Sequence, residues 1–238
     1  MKQLIAANWK MNGMPDWVDR VGALDTRAGG VDEAELLVCP PNALVGLLAF
    51  AAKDTAVTIG GQDCSAEEAG AHTGETDAAL LKALGARYVI VGHSERRAGG
   101  ESDADVKAKA ERAIAVGLRP VVCVGESLGE REAGHAVATV RAQLSASLPT
   151  KGHYDLAYEP IWAIGSGRVA EVSDIADMHA AIREAVGPGP RILYGGSVKP
   201  DNAQDILSTP EVGGALVGGA SLDPESFSAI ARHAVKQG

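Results

Sequence analysis

The stretch RYVIVGH, residues 87–93, is a short and almost continuously apolar run that ends in a glycine and a polar side chain. Runs without clean polar alternation are expected for parallel strands that are covered on both faces. Seven similar runs occur along the chain: QLIAANW (3–9), ELLVCP (35–40), AVTIGGQ (56–62), RPVVCVGE (119–126), YDLAYEP (154–160), RILYGGS (191–197) and GALVGGA (214–220). The sequence therefore predicts eight parallel strands.

Segments with helical spacing lie between these runs. Over 174–186 the apolar residues recur at the helical period, and Ser173 is the expected N-cap. Helices are also predicted over 103–116 and from 224 to about 235. Eight strand–loop–helix units indicate either a closed (β/α)8 barrel or a doubly wound open sheet. Equal unit lengths without a composition break favour the barrel, an α/β fold forming a single domain over 1–238.

Composition narrows the class of function. The chain has 238 residues and a formal net charge of -9, and no basic cluster is interleaved with aromatic residues, which argues against a nucleic-acid partner. Cys39, Cys64 and Cys123 are widely separated, so neither a disulfide framework nor a zinc site is indicated. The apolar run near the N-terminus is too short for a signal peptide, and no run approaches a membrane span. A cytoplasmic protein without a membrane partner is expected.

The ends of the first and fourth strands carry candidate catalytic side chains, because a barrel builds its active site at the carboxyl ends of its strands. Asn8 and Lys10 close the first run, where a lysine can hold an anion; the alternative is a solvated surface lysine. His93 follows the fourth run as a proton-transfer group or electrophile, or as a structural histidine. Ser94 is the expected cap of the next turn, and Glu95 lies beside two arginines.

Glu159 ends the sixth strand, after LAY and before PIW. Apolar surroundings favour the protonated form of a carboxyl group, which suits a general base. The alternative is a buried glutamate paired with an arginine, but the immediate neighbours in the sequence offer no cation. Glu159 is therefore the candidate base.

The surrounding stretch YEPIWAIGSGRVAE (158–171) also fits the dinucleotide-binding pattern G-x-G-x-x-A at Gly165, Gly167 and Ala170. That pattern requires glycines directly after a strand and at the start of a helix. Here residues 160–164 separate the strand from the first glycine, and the helix is expected to start later. The context therefore argues against a dinucleotide cofactor.

Two Gly-Gly pairs follow the last two strands, at 195–196 and 218–219. Glycines at these positions let backbone N–H groups approach a phosphate closely, although each pair could also be a tight turn. A base, an electrophile, a lysine and a phosphate cradle together indicate proton transfer beside a carbonyl of a small phosphorylated sugar, with no metal or cofactor needed. The remaining histidines are scattered and are interpreted as solvated surface side chains: His72, His135, His153, His179 and His233.

Six motifs carry a resemblance to a known family: ANWKMN (7–12), GAHTGE (70–75), YVIVGHSERR (88–97), AYEPIWAIGSG (157–167), YGGSVKPDN (194–202) and ALVGGASL (215–222). In this order and at this spacing, they resemble the triosephosphate isomerase family over essentially the whole chain. The resemblance implies a TIM barrel that interconverts dihydroxyacetone phosphate and D-glyceraldehyde 3-phosphate through a cis-enediolate, in glycolysis and gluconeogenesis.

The resemblance also implies residue roles. Glu159 would remove and return the carbon-bound proton, and neutral His93 would polarise the carbonyl and move protons between the two oxygens. Asn8 and Lys10 would stabilise the developing oxyanion, and Glu95 would support Lys10. The phosphate would lie on the N–H groups of four residues: Gly165, Ser197, Gly218 and Gly219.

Two further segments gain a meaning from the resemblance. A mobile lid would close over the site and exclude water, with the Tyr194 hydroxyl and the Ser197 side chain contacting its backbone. The long 60–75 connection would dock into a second subunit of a homodimer, where Thr73 reaches the site near Asn8 and His93. The lid residues are Pro160, Ile161, Trp162, Ala163, Ile164, Gly165, Ser166, Gly167, Arg168, Val169 and Ala170.

Three other functions compete with isomerisation. Another phosphosugar barrel enzyme is one; a Schiff-base aldolase would use Lys10, the obvious lysine candidate. A non-catalytic phosphate-binding barrel is the second, although Glu159 and His93 are both present. A metal hydrolase is the third, and no compact ligand set supports it.

Overall fold

Eight parallel strands close into one barrel. The structure, a computed structural model, describes residues 1–27, 31–164 and 169–235. The strands pair in sequence order, and the first closes on the last. Their bounds are β1 Gln3–Asn8, β2 Ala34–Cys39, β3 Val57–Gly61, β4 Tyr88–Val91, β5 Arg119–Val124, β6 Asp155–Tyr158, β7 Ile192–Tyr194 and β8 Gly214–Val217. The predicted (β/α)8 barrel is confirmed, and the open doubly wound sheet is excluded.

Helices pack around the outside of the barrel. They are α1 Val18–Arg27, α2 Val45–Ala51, α3 Ala78–Ala83, α4 Ser94–Ala98, α5 Asp103–Ala115, α6 Leu128–Glu132, α7 Ala136–Ser147, α8 Val172–Val186, α9 Ala203–Leu207 and α10 Pro224–Ala231. Short 3₁₀ helices occupy Pro15–Trp17, Asn42–Leu44, Ile161–Ala163 and Gly219–Leu222. Across the described ranges, none of the helices combines the length and apolar character needed to cross a membrane.

Two helix boundaries differ from those expected. Ser173 is not the N-cap of α8, because the helix already begins at Val172. The N-cap is Glu171, whose backbone is extended. Helix α10 ends at Ala231 rather than near 235, because the N–H groups of His233 and Ala234 turn back to carbonyls three residues earlier. The helix predicted over 103–116 begins at Asp103 as expected, where a reciprocal capping box stabilises its first turn.

The apolar core has two layers, which explains why the strands are apolar on both faces. Successive side chains of a strand point to opposite faces, so Leu4 faces the barrel interior while Ile5 packs under the helices. The interior layer is formed by Leu4, Ala6, Leu37, Cys39, Tyr88, Ile90, Val121, Cys123, Ala157, Leu193 and Leu216.

The seam between β1 and β8 depends on a glycine. Gly214 has a φ of 145°, and a Cβ atom added there would overlap the carbonyl oxygen of Leu4. Beyond this point the two strands pair in register from Leu4↔Gly214 to Ala7↔Val217. A side chain at 214 would therefore hold the seam open.

His179 contradicts the expectation of a surface histidine. Its side chain on α8 is 0% exposed, stacks edge-on against Tyr158 at 5.9 Å between ring centres, and places Nδ1 3.3 Å from the Glu211 carbonyl oxygen. Burial lowers the pKa of His179 to about 4. His72, His135 and His153 are exposed as expected, and His233 is half-buried.

The buried histidine predicts a loss of stability in acid. The unfolded chain takes up a proton near the ordinary pKa of about 6.5, whereas folded His179 resists protonation until about pH 4. Its contribution is therefore fully present above pH 6.5 and is lost as the pH falls towards 4, by up to about 3 kcal/mol. Urea unfolding between pH 7 and pH 4.5 should show a shallower pH dependence in His179→Asn than in the unaltered protein. The matching change at exposed His153, His153→Asn, should leave the slope unchanged; equal slopes for all three proteins would contradict the assignment.

Candidate active site

A cavity of about 660 Å³ opens at the carboxyl ends of the strands. It brings together most of the side chains predicted from the strand ends, from β1, β4, β6, β7 and β8. Its lining includes Asn8, Lys10, His93, Glu159, Gly195, Gly196, Ser197, Gly218 and Gly219. Among the described residues, no group of three or more His, Cys, Asp or Glu side chains is placed to hold a metal ion.

His93 and Glu159 form a direct pair in this cavity. His93 Nε2 lies 2.9 Å from Glu159 Oε1, and both side chains are buried. The other carboxylate oxygen of Glu159 accepts a hydrogen bond of 2.9 Å from the backbone N–H of Ser94. Glu159 is thus buried as expected, but its partners are a histidine and a helix N-terminus rather than an arginine.

The hydrogen bonds assign the proton on the His93 ring. Nδ1 accepts the backbone N–H of Glu95 at 3.1 Å, so His93 itself is the N-cap of α4, a role that the sequence had suggested for Ser94. A nitrogen that accepts an N–H bond carries no proton in the neutral ring. The remaining proton therefore sits on Nε2 and is donated to Glu159.

Opposing effects act on the protonation of His93. Burial lowers the pKa of the ring, but the hydrogen bond and the negative charge of Glu159 raise it more strongly, with a smaller contribution from Glu95, so the pKa lies above its ordinary value. Lys10 opposes the rise. The pKa of His93 is therefore tied to the presence of Glu159 beside it.

Lys10 is held in place from several sides. Its Nζ lies 2.6 Å from Glu95 Oε1, its N–H donates to Asn8 Oδ1 at 3.1 Å, and its carbonyl accepts from Gln62 Nε2 at 2.8 Å. Its φ of 52° lies in the left-handed region, where a residue with a side chain needs such support. Lys10 is thus half-buried in the cavity wall rather than a solvated surface lysine. No pattern in the sequence indicates that Gln62 contacts Lys10.

Glu95 completes the charge pair. Burial raises the pKa of its carboxyl, but the hydrogen bond and charge of Lys10 lower it more, so the pKa lies below its ordinary value. Glu95 remains an exposed residue at the mouth of the cavity. The expected support of Lys10 by Glu95 is thus present as a contact.

Glycines on both neighbouring strands make room for Glu159. A Cβ atom at Gly195, after β7, would lie 2.9 Å from Glu159 Cγ. A Cβ atom at Gly125, after β5, would overlap the Glu159 carbonyl oxygen. The sequence suggests a phosphate role for the glycines after β7, whereas Gly195 is also required by the volume of the Glu159 side chain.

The candidate phosphate residues Ser197, Gly218 and Gly219 line the same cavity, after β7 and β8. Gly218 is the N-cap of the 3₁₀ helix Gly219–Leu222, and the Lys10 side chain passes 3.6 Å from the position of a Cβ atom added to it. The carbonyl of Ser197 accepts a 3.1 Å hydrogen bond from Asn202, which ties down the loop after β7. Gly165, the fourth candidate, lies outside the described residues.

The first part of the expected lid rests on a buried carboxylate. Glu126 Oε1 accepts hydrogen bonds from Trp162 Nε1 at 2.9 Å, from the Tyr158 hydroxyl at 3.1 Å and from Arg131 Nε at 2.8 Å. Sequence reasoning did not single out Glu126, because nothing marks its partners as neighbours. The lid residues Ser166, Gly167 and Arg168, like Gly165, fall outside the described residues.

The far end of the expected lid approaches β7. Tyr194 and Ala170 are both buried. Burial raises the pKa of Tyr194 to about 12, against the opposing effect of the Ala170 backbone. The Tyr194 side chain therefore lies beside the segment that it was expected to contact.

The 60–75 connection has an exposed tip. The Ser65 N–H donates to the Thr76 carbonyl at 2.8 Å, and the Ser65 side chain hydrogen-bonds Glu75, which closes the base of the loop. Residues 67–75, including Thr73, are exposed. Thr73 is therefore not among the residues that line the cavity of the single chain.

A closed (β/α)8 barrel with a histidine–glutamate pair, a lysine and glycine-rich loops at one rim defines a barrel enzyme suited to proton transfer on a small anionic ligand. The family model described as triosephosphate isomerase matches residues 3–234. The chain belongs to the triosephosphate isomerase family.

Individual relatives agree over nearly the full length. The chain is 50% identical to the triosephosphate isomerase of Acidiphilium cryptum, covering 99% of this chain and 100% of the relative. It is 50% identical to that of Xanthobacter flavus, covering 97% of each. The crystal structure of triosephosphate isomerase from Bartonella henselae is similar with a TM-score of 0.90 at 38% identity, covering 98% of this chain and 99% of that one.

The His93–Glu159 pair predicts how the histidine titrates. Glu159→Gln removes the negative charge that favours the imidazolium, so the pKa of His93 should fall. Glu95→Gln should lower it less, because Glu95 makes the smaller contribution. Glu225→Gln, an exposed change on α10, should have no effect. ¹⁵N NMR of the ring nitrogens measures both the titration and the tautomer; a proton on Nδ1 of the neutral ring would refute the assignment.

Proposed function

We propose that this chain catalyses the reversible interconversion of dihydroxyacetone phosphate and D-glyceraldehyde 3-phosphate by proton transfer through an enediolate. The contact between His93 and Glu159, 2.9 Å apart in the rim cavity, carries the proposal. A carboxylate base beside a neutral N–H donor can take a proton from carbon while a hydrogen bond stabilises the charge that develops on the adjacent oxygen.

Glu159 acts as the base, and the substrate releases it. Both of its carboxylate oxygens are engaged in the free protein, by His93 and by the Ser94 N–H. A substrate oxygen that replaces Glu159 as the acceptor of the His93 Nε2–H hydrogen bond frees one carboxylate oxygen. That oxygen can then accept the carbon-bound proton. His93 then moves protons between the two substrate oxygens.

Cations and backbone N–H groups bind the charged parts of the substrate. Lys10 and Asn8 stabilise the oxyanion, and Glu95 holds the lysine from the other side. The phosphate lies on the N–H groups of Ser197, Gly218 and Gly219, joined by Gly165 from the lid. Because the chain has a net charge of -9, these local groups must provide the attraction for an anion.

Residues 160–170 act as the lid. The 3₁₀ helix Ile161–Ala163 would move as a unit when Trp162 leaves Glu126. The Tyr194 hydroxyl and the Ser197 side chain would then hold the lid backbone near Ala170 and Gly167. Closure excludes water and prevents loss of phosphate from an exposed enediolate.

The protein acts as a homodimer in this proposal. The 67–75 loop tip is exposed, and so are the apolar side chains of Met11 and Met14, at 97% and 62%, shortly after Lys10 in the chain. Thr73 of one subunit would pack near Asn8 and His93 of the other and so support the site. An interface at this position joins assembly to activity.

The chain forms a single catalytic domain over 1–238, works in the cytoplasm in glycolysis and gluconeogenesis, and requires no cofactor, metal, nucleic acid or membrane. A Schiff-base aldolase fits less well, because Lys10 Nζ is bound to Glu95 at 2.6 Å and so is not free to attack a carbonyl group. A phosphate-binding barrel without activity would leave the buried His93–Glu159 pair without a role.

Replacing the base tests the reaction. Glu159→Gln keeps the volume of the side chain but cannot accept the proton, so kcat should fall by about a thousand-fold in a coupled isomerase assay. Binding of phosphoglycolate should change little, because the phosphate residues lie on other strands. Glu225→Gln serves as the control and should be fully active. Turnover close to normal in Glu159→Gln would eliminate Glu159 as the base.

Replacing the loop tip tests the dimer. Thr73→Arg places a long charged side chain at an exposed position that is free of cost in a monomer but is buried in the proposed interface. Sedimentation should show a shift towards monomer together with a parallel loss of activity. Thr26→Arg, at an exposed position of α1, should sediment as the unaltered protein does. An unaltered protein that is active as a monomer at micromolar concentration would reject the proposed dimer.

A further inference from the structure

An amide side chain on the outside of the barrel hydrogen-bonds the backbone at the end of β5. Gln143, on α7, accepts the Gly125 N–H with Oε1 at 2.8 Å and donates Nε2 to the Gly125 carbonyl at 2.9 Å. The flanking α7 residues Val140 and Leu144 are buried, so the helix that carries Gln143 is anchored in the core. The two hydrogen bonds fix both peptide groups of one glycine.

That glycine touches the backbone of the base. The Glu159 N–H donates to the Val124 carbonyl at 2.8 Å, and the Ile161 N–H donates to the Glu126 carbonyl at 3.1 Å. Gly125 lies between these two bonds, so close that a Cβ atom there would overlap the Glu159 carbonyl oxygen. Residues 124–126 therefore run alongside residues 159–161 and are hydrogen-bonded to them at both ends.

We propose that Gln143 is a positioning residue, which sets the location of Glu159 through Gly125 without touching the substrate. This inference rests on the proposed function, in which Glu159 is the base. A base must be held to within a fraction of an ångström, and a misplacement of about 1 Å can reduce the rate by about a hundred-fold. A loose Gly125 would let the strand end, and Glu159 with it, move away from His93.

A purely structural role makes a different prediction. If Gln143 only satisfied the backbone of Gly125, its loss would lower stability but leave each folded molecule with normal kcat. If it positions the base, its loss lowers kcat at constant KM, because Ser197, Gly218 and Gly219 lie on other strands. The two roles therefore separate in the kinetic constants of the folded protein.

The test uses Gln143→Met, which keeps the length of the side chain and removes both hydrogen bonds. We expect kcat per folded molecule to fall about tenfold, with KM and the affinity for phosphoglycolate unchanged. If the methionine variant folds poorly, Gln143→Asn takes its place. Its side chain is too short to reach Gly125 but can hold a water molecule, and kcat should fall by a similar factor. Arg141→Met, on the same helix and paired outward with Glu184, is the matched control and should keep full kcat.

A second readout does not depend on turnover. The ¹⁵N resonance of His93 Nε2 reports its hydrogen bond to Glu159 and should shift in Gln143→Met but not in Arg141→Met. An unchanged resonance, or a normal kcat per folded molecule, would overturn the positioning role. An unaltered protein without isomerase activity would overturn the proposed function instead, and the resonance would still decide whether Gln143 holds the pair.

Discussion

The closure of the barrel is the constraint on which the rest of the structure depends. Parallel pairing brings every carboxyl end to one rim, so side chains far apart in the chain meet there. The seam is narrow: β8 meets β1 at Gly214, where no Cβ atom fits against Leu4. Lys10 and the Gly218 loop face each other because this seam closes in register.

Space around Glu159 is controlled as strictly as its hydrogen bonds. Gly125 and Gly195 flank it on the two adjacent strands, and neither position leaves room for a methyl group. Gly125 lies against the main chain of Glu159, and Gly195 lies against its side chain. In the following segment, Trp162 donates a hydrogen bond to the buried carboxylate of Glu126, and its ring lies beside the Arg131 guanidinium.

The sequence predicted the barrel and the residues at its strand ends because both follow from local pattern. Lys10, His93 and Glu159 stand directly after apolar runs, where a parallel barrel must present them. The supports could not be predicted: Gln62 and Gln143 reach residues distant in the chain, and an amide carries no mark of its partner. The prediction of a surface position for His179 is wrong. The residue lies on the apolar face of α8, four residues after Ile175, and this position buries it despite its polar ring.

The engaged state of Glu159 has a consequence for selectivity. In the free protein the carboxylate is locked by the His93 N–H and the Ser94 N–H, so a bound anion alone does not unlock it. At the proposed phosphate site, inorganic phosphate would bind to the glycine-rich loops and leave the pair intact. In the proposed reaction, a ligand must also carry an oxygen that replaces Glu159 as the acceptor of the Nε2–H bond, and Glu159 then becomes available as the base. The hydrogen bond between His93 and Glu159 would thus select for ligands with such an oxygen before any proton is removed from carbon.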